Sequence, residues 1–124
     1  MADSSAKLSN YRQAPRKVRL VADLVRGKRV DRALALLDVL PKRASEAMQK
    51  LIRSAVSNAK SGTAESLVIS KIAVNGGTVM KRHMPRARGR ASLIKKKSSH
   101  ITLELSSIKP TVKKPASSEA VPKK

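Results

Sequence analysis

Cysteine is absent from the chain, and its absence excludes disulfides, thiol catalysis and thiolate metal sites. Phenylalanine and tryptophan are missing as well, which leaves Tyr11 as the single aromatic residue. The stacking platforms on which RNA-recognition motifs and OB-folds hold splayed bases are therefore lacking. Any nucleic acid bound here is expected to be held through phosphates and shape, with a strong dependence on salt. No apolar run approaches the roughly 18 residues that a spanning helix requires. No signal-peptide hydrophobic segment follows MADSSAKLSN. The expectation is a soluble protein that is not secreted.

Acids are scarce too: 8 Asp and Glu face 28 Lys and Arg in 124 residues, a net charge of +20 and a pI near 11.4. Such an excess opposes folding through self-repulsion, and a polyanionic partner is its economical explanation. The length suits one small domain with appendages. His83 and His100 are the only histidines, and without cysteines or clustered acids they cannot complete a metal site of the usual ligand count. His100 reads as a packing or hydrogen-bonding residue. There is no nucleophile–base pair, no Gly-rich phosphate loop and no set of convergent carboxylates, so neither enzyme nor cofactor chemistry is expected.

What is present falls into periodic segments. PRKVRLVADLVR, Pro15 to Arg26, sets Val18, Val21, Leu24 and Val25 on one helical stripe, with proline in the first turn and Gly27 as a stop. A second helix begins after Val30, with Asp31 placed to cap it, Leu34 and Leu37 along it and Pro41 ending it. Its density of apolar residues predicts burial on more than one side. A third, about Lys42 to Lys60, spaces Ala44, Ala47, Met48, Leu51, Ile52, Ala55, Val56 and Ala59 at helical intervals and stops near Gly62.

The period then changes. In SLVISKIAVN, Val68, Ile72 and Val74 share one parity while Leu67 and Ile69 take the other, a strand with a phase slip near Lys71 that a bulge absorbs. HITLELS alternates with Ile101, Leu103 and Leu105 on one face. These make two half-buried antiparallel strands, and SAKLSNYR is a candidate edge strand beside them. An α+β fold follows. Past Ser106 the Pro-, Ser-, Ala- and Lys-rich remainder, 107–124, reads as a disordered basic tail.

Between Glu65 and Glu104 there is no acid, while Lys71, Lys81, Arg82, Arg86, Arg88, Arg90, Lys95, Lys96 and Lys97 fall in the gap. If the flanking strands pair, that gap is a protruding hairpin whose midpoint lies near Ala87. Arms of roughly twenty residues at about 3.3 Å each reach on the order of 60 Å. A two-stranded ribbon without a packed face is marginal in water, so its outer half needs something to lie against. Asn75-Gly76 offers a competing short turn. TVMKRHM beyond it makes a poor returning strand, so NGG is read as a kink or bulge in one arm. Arg82, Met84, Arg86, Arg88 and Arg90 share one parity; Pro85, Ala87, Gly89 and Ala91 take the other. An extended tip places guanidinium forks on one side, where they suit phosphate, and a slim surface opposite. His83 reads as a further RNA contact. Met80 and Met84 serve equally as gap-filling residues or as groups on a wall.

Arg86-Ala87-Arg88-Gly89-Arg90, followed by His100-Ile101 with Leu103 and Leu105, resembles the signature of the large ribosomal subunit protein 22 family. RKVRLVADLVRGK, Arg16 to Lys28, is similar to that family's first helix, and the likeness runs from about Tyr11 to Ser106. The resemblance implies three helices on a three-stranded antiparallel sheet with an extended hairpin, in a bacterial or organellar ribosome. It implies a single RNA-binding domain over 1–106, with its globular part about 5–75 and 98–106, a hairpin about 67–106 and a tip near 85–90. The globular part would sit near the exit of the polypeptide tunnel and the hairpin would line it. The partners implied are large-subunit rRNA, neighbouring ribosomal proteins and the nascent chain, without a membrane span and without an obligate homo-oligomer. Arg12, Arg16, Lys17, Arg19, Lys28 and Arg29 join the hairpin cations as rRNA-facing positions. Met80, Lys81 and Arg82 match a segment whose alteration is associated with macrolide resistance, while Met84, Arg88, Gly89 and Arg90 match the tunnel-lining tip. The tail is longer than the family's usual ending. The rival reading is a DNA-architectural protein whose β-ribbon arms wedge into the minor groove. Such proteins work as obligate dimers.

Overall fold

The structure, a computed structural model, describes residues 3–60 and 64–108. Of the tail expected over 107–124, Ser107 belongs to the last strand and Ile108 N–H donates to Ser66 O at 2.8 Å; the rest, from 109 onward, and Gly62, expected to stop the third helix, lie outside the described residues. In chain order the elements are β1 (Ser4–Tyr11), α1 (Pro15–Val25), α2 (Val30–Val39), α3 (Arg43–Asn58), a short 3-10 turn (Ala64–Ser66), β2 (Leu67–Pro85) and β3 (Ala91–Ser107). Three helices cover one face of a three-stranded antiparallel sheet of order β1-β3-β2. The fold is α+β, as expected, and the candidate edge strand is present as β1.

The central strand organises the core. Ile101, Leu103 and Leu105 of β3 point at the helices and are buried. Their partners across the ladder include Val74, Ile72 and Ile69 on β2, and Leu8 and Ala6 on β1. Burial of a large aliphatic side chain contributes about 1.5–3 kcal/mol, so this facing set is the main source of stability. The phase slip in β2 falls between Ile69 and Lys71, where Ser70 is skipped in the register and its Oγ donates to Glu104 O at 3.0 Å. The bulge returns Ile72 and Val74 to the face that already holds Leu67 and Ile69, and all four are buried. Val68, which shares parity with Ile72, is only half-buried because the bulge lies between them.

Pro15 starts α1, where its fixed φ fits the first turn and its missing N–H leaves no helical bond unmade. The chain leaves the helix at Arg26 in an extended conformation, and Gly27 follows with φ +76°, open to glycine without strain. Gly27 N–H then donates to Ile69 O, and Ile69 N–H to Lys28 O, which stitches the α1–α2 turn to the edge of β2.

Three helical expectations are corrected. The stripe of α1 buries Ala22 with Val18, Val21 and Val25, whereas Leu24 is 48% exposed. Helix α2 buries one side only, through Val30, Ala33 and Leu37, and leaves Leu36 and Val39 exposed. Its ten residues lie at the margin of the sheet, so no second layer covers its outer side. Asp31 does not cap it: Arg29 occupies that position without a side-chain cap, and Asp31 in the first turn pairs with Arg29 Nε at 3.6 Å.

Candidate nucleic-acid interface

Beyond the core, β2 and β3 continue together as one ribbon. The ladder is interrupted once, where Gly77 and Thr78 oppose Ser98 alone, and resumes from Val79↔Lys97 to Pro85↔Ala91. Asn75-Gly76 therefore closes no short hairpin; NGG is the entry to a bulge. Every residue from Lys81 to Ala91 is exposed. Residues paired in register project from the same face, so Lys81 stands directly opposite Lys95. Like charges opposed in this way destabilise a sheet. With no acid between Glu65 and Glu104, the ribbon holds nothing of its own to offset that repulsion.

The tip departs from the extended geometry expected of it. Arg86 N–H donates to Arg90 O at 2.7 Å, and a 3-10 turn over Ala87–Gly89 lies between them. Arg88 and Gly89 adopt positive φ, 60° and 71°. Alternation stops at Pro85, so Arg86, Arg88 and Arg90 fan around a turn instead of extending the face that carries Arg82 and Met84. The reason is closure: a two-stranded ribbon reverses only through left-handed residues or a longer loop, and glycine supplies one of them.

The base of the ribbon is tied firmly to the globular part. Ser98 Oγ donates to Thr78 O at 2.6 Å across the bulge, and Ser99 Oγ to Gln13 O at 2.5 Å. Asn10, at φ 56° in a bulge of β1, donates its N–H to His100 Nδ1 at 3.0 Å. His100 is thus a hydrogen-bonding residue, as read from its place beside an alternating strand. The Arg19 guanidinium donates through Nε and Nη2 to Val74 O, at 3.3 and 3.1 Å. Arg19 therefore braces α1 against β2, a role the charge pattern did not show.

The other predicted positions divide into separate groups. Arg12, Arg16 and Lys17 are exposed at the β1–α1 turn and the start of α1. Arg12, Lys17, Lys96 and Lys97 converge with Met80 around a hollow of about 480 Å³. Arg43, at the start of α3, joins them there, although its position in PKRAS marked only a helix start. Lys28 and Arg29 sit apart, around a hollow they share with Arg32, Leu36 and Val39. Arg29 Nη2 is occupied by Glu65 O at 2.7 Å. Lys71 pairs with Glu104 at 3.6 Å, the one cation of the acid-free gap with an acidic partner among the described residues. Lys81, Arg82, His83, Arg86, Arg88, Arg90 and Lys95 line the exposed ribbon. Arg82 bends back to Lys81 O, and Arg86 Nε donates to Ser92 Oγ at 3.2 Å. Among the described residues no group of His, Asp and Glu is arranged to hold a metal ion, and no helix is long and apolar enough to cross a membrane.

Residues 6–106 match the family model described as ribosomal protein L22p/L17e. The chain belongs to that family. Relatives named large ribosomal subunit protein uL22 align over most of both chains. The one from Pelobacter propionicus is 48% identical over 110 residues, 86% of this chain and 99% of its own. The one from Herpetosiphon aurantiacus is 50% identical over 103 residues, 81% and 91%. That of Geobacter sulfurreducens is 48% identical over 106 residues, 83% and 96%. The L22 family match covers β1 to β3 entire except for the ends, so the ribbon and its base both fall within it.

Proposed function

We propose that this chain is a structural, non-catalytic constituent of the large ribosomal subunit in the bacterial cytoplasm and binds 23S-type rRNA through phosphate and shape contacts. The observation that carries this reading is the ribbon, where Lys81 faces Lys95 with no acid from Glu65 to Glu104. Its ladder needs an external polyanion, and RNA supplies one. Membership in the L22 family and the relatives' names support the ribosome as the place.

A single RNA-binding domain spans 1–106. Its globular part sits near the exit of the polypeptide tunnel, held by Arg12, Arg16, Lys17, Lys28, Arg29 and the Lys95–Lys97 run. The ribbon lines the tunnel, with Met80, Lys81, Arg82 and Met84 along one arm and Arg88, Gly89 and Arg90 at the turn beside the nascent chain. A ribbon that is two strands wide and lacks aromatic residues suits a narrow wall. Neighbouring ribosomal proteins complete its surroundings, and no second copy of the chain is needed.

Fractionation of native lysates tests the reading. The chain should sediment with the large subunit at low salt and be stripped from its rRNA at high salt. Recovery as a free dimer with higher affinity for duplex DNA than for structured RNA at equal salt would restore the DNA-architectural alternative.

A further inference from the structure

We propose that two adjoining hollows at the base of the ribbon form a seat for one unstacked nucleotide of the rRNA, an inference that rests on the function proposed above. The first hollow, about 480 Å³, is ringed by Arg12, Lys17, Arg43, Lys96 and Lys97 without an acid. The second, about 290 Å³, is lined by Asn10, Arg12, Thr78, Met80 and Ser98 and has one cation. Arg12, Met80 and Ser98 belong to both, so a chamber of five cations opens beside a polar one that is neutral apart from the shared Arg12.

That juxtaposition has the chemistry of a nucleotide. A phosphate carries full negative charge and takes the forks of Arg12 and Arg43 with the ammonium groups of Lys17, Lys96 and Lys97. The base beside it is uncharged, apolar on its faces and lined with donors and acceptors at its edge. The Asn10 carboxamide and the Thr78 hydroxyl make no hydrogen bond among the described residues and stand ready for such an edge. Met80 offers a polarizable, adaptable side chain for the base face in a chain without aromatic platforms to spare. Backbone phosphates of a duplex lie on an open ridge and leave concave, neutral space unfilled. An extruded nucleotide fills both chambers.

The walls are preformed. Two bulges, at Asn10 in β1 and at Gly77-Thr78 in β2, flank the seat, and each is fastened by a side chain of β3, His100 and Ser98. Bulges of this kind re-aim side chains beside functional sites. Gln13, in the turn between β1 and α1, lines the cationic chamber, and its Oε1 is buried without a hydrogen-bond donor among the described residues. A small rotation toward a ribose hydroxyl satisfies that acceptor, whose desolvation is otherwise unrepaid.

Large subunits assembled in cells with a photoreactive amino acid in place of Thr78 provide the test. Irradiation should link the chain to one or two adjacent rRNA nucleotides. Adding Arg43→Gln and Lys17→Gln to that chain should lower the yield roughly tenfold, the effect of losing about one charge-assisted contact. Crosslinks to a neighbouring protein, or spread over both strands of a duplex, would overturn the nucleotide seat and leave the ribosomal role standing. Unchanged yield in the doubly substituted chain would also overturn it. Absence of the chain from sedimented subunits would overturn the ribosomal role, and the seat with it. Should the photoreactive chain not assemble, Thr78→Trp, which fills the neutral chamber from an exposed position, replaces it. Chemical probing should then show one or two nucleotides becoming roughly tenfold more reactive, and an unchanged probing pattern counts against the seat.

Discussion

Gly77 shows how little room the ribbon's base leaves. A Cβ built there would lie 2.6 Å from Ser98 Oγ and 3.2 Å from two atoms of the His100 ring. Ser98 is buried and its hydroxyl is already committed to Thr78 O, so it cannot turn away without leaving a polar group unmet. Gly77→Ala is therefore expected to destabilise the folded chain by about 1–3 kcal/mol, read by urea unfolding. Adding Ser98→Ala should recover part of that loss, because the second change removes the atom in the way; simple additivity would show that the clash is relieved elsewhere. Residue pattern alone did not single out Gly77 within NGG, since the atoms that crowd it come from a strand about twenty positions later. The same limit explains Leu24 and Ala22. Both lie within reach of the helical stripe, and only the docking angle of α1 on the sheet decides which is covered. Arg19 is a third instance, a cation whose carbonyl partner on β2 makes it a brace.

At the scale of elements, periodicity predicted well because it reports burial. The helical spacing of α1 and α3 and the alternation of β3 correspond to the buried faces found. The phase slip in β2 lies one residue from its expected place. Apolar content misled in α2, whose outer leucine and valine remain exposed, since composition counts residues without knowing whether a second layer exists. The tip misled for a similar reason: parity presumes an extended chain, and a hairpin must stop being extended to reverse. A division of labour follows for the ribbon. From Lys81 to Ala91 no residue is buried, so replacing Val79–Lys97 by a short glycine-containing turn should change the unfolding free energy of the globular part by no more than about 0.5–1 kcal/mol. A larger loss would mean that the outer arm supports the core. Deleting Met80 to Arg82 removes three partners of β3 and, being an odd number, reverses which face the remaining outer residues present. Folding and subunit assembly should survive that deletion while the macrolide response changes; growth with and without the drug, beside subunit profiles, separates the two effects.

For the whole molecule, charge sets the behaviour. A net +20 on 124 residues is carried with only four ion pairs among the described residues, and each of those is at the surface. Exposed pairs of this kind are worth about 0–1 kcal/mol, too little to offset the self-repulsion of the rest. Segregation of the acids was the most informative trait of the sequence, since it singled out the exposed cationic ribbon before any fold was known; the convergence of Arg12, Lys17 and Arg43 with Lys96 and Lys97 depended on topology and stayed hidden. Two opposite responses to salt follow. The free chain should gain stability as salt rises, because screening relieves repulsion between like charges. Affinity for rRNA should fall in the same range, since each neutralised phosphate releases a counterion on binding. Replacing Lys95, Lys96 and Lys97 by glutamine should make the slope of log K against log salt shallower by about 2–3, measured by filter binding across a salt series, and should raise the low-salt stability of the free chain. A slope that stays unchanged would place these lysines away from phosphate. Their repulsion from Lys81 and its neighbours would then have no counterpart in the complex, and the ribbon would need another source of order.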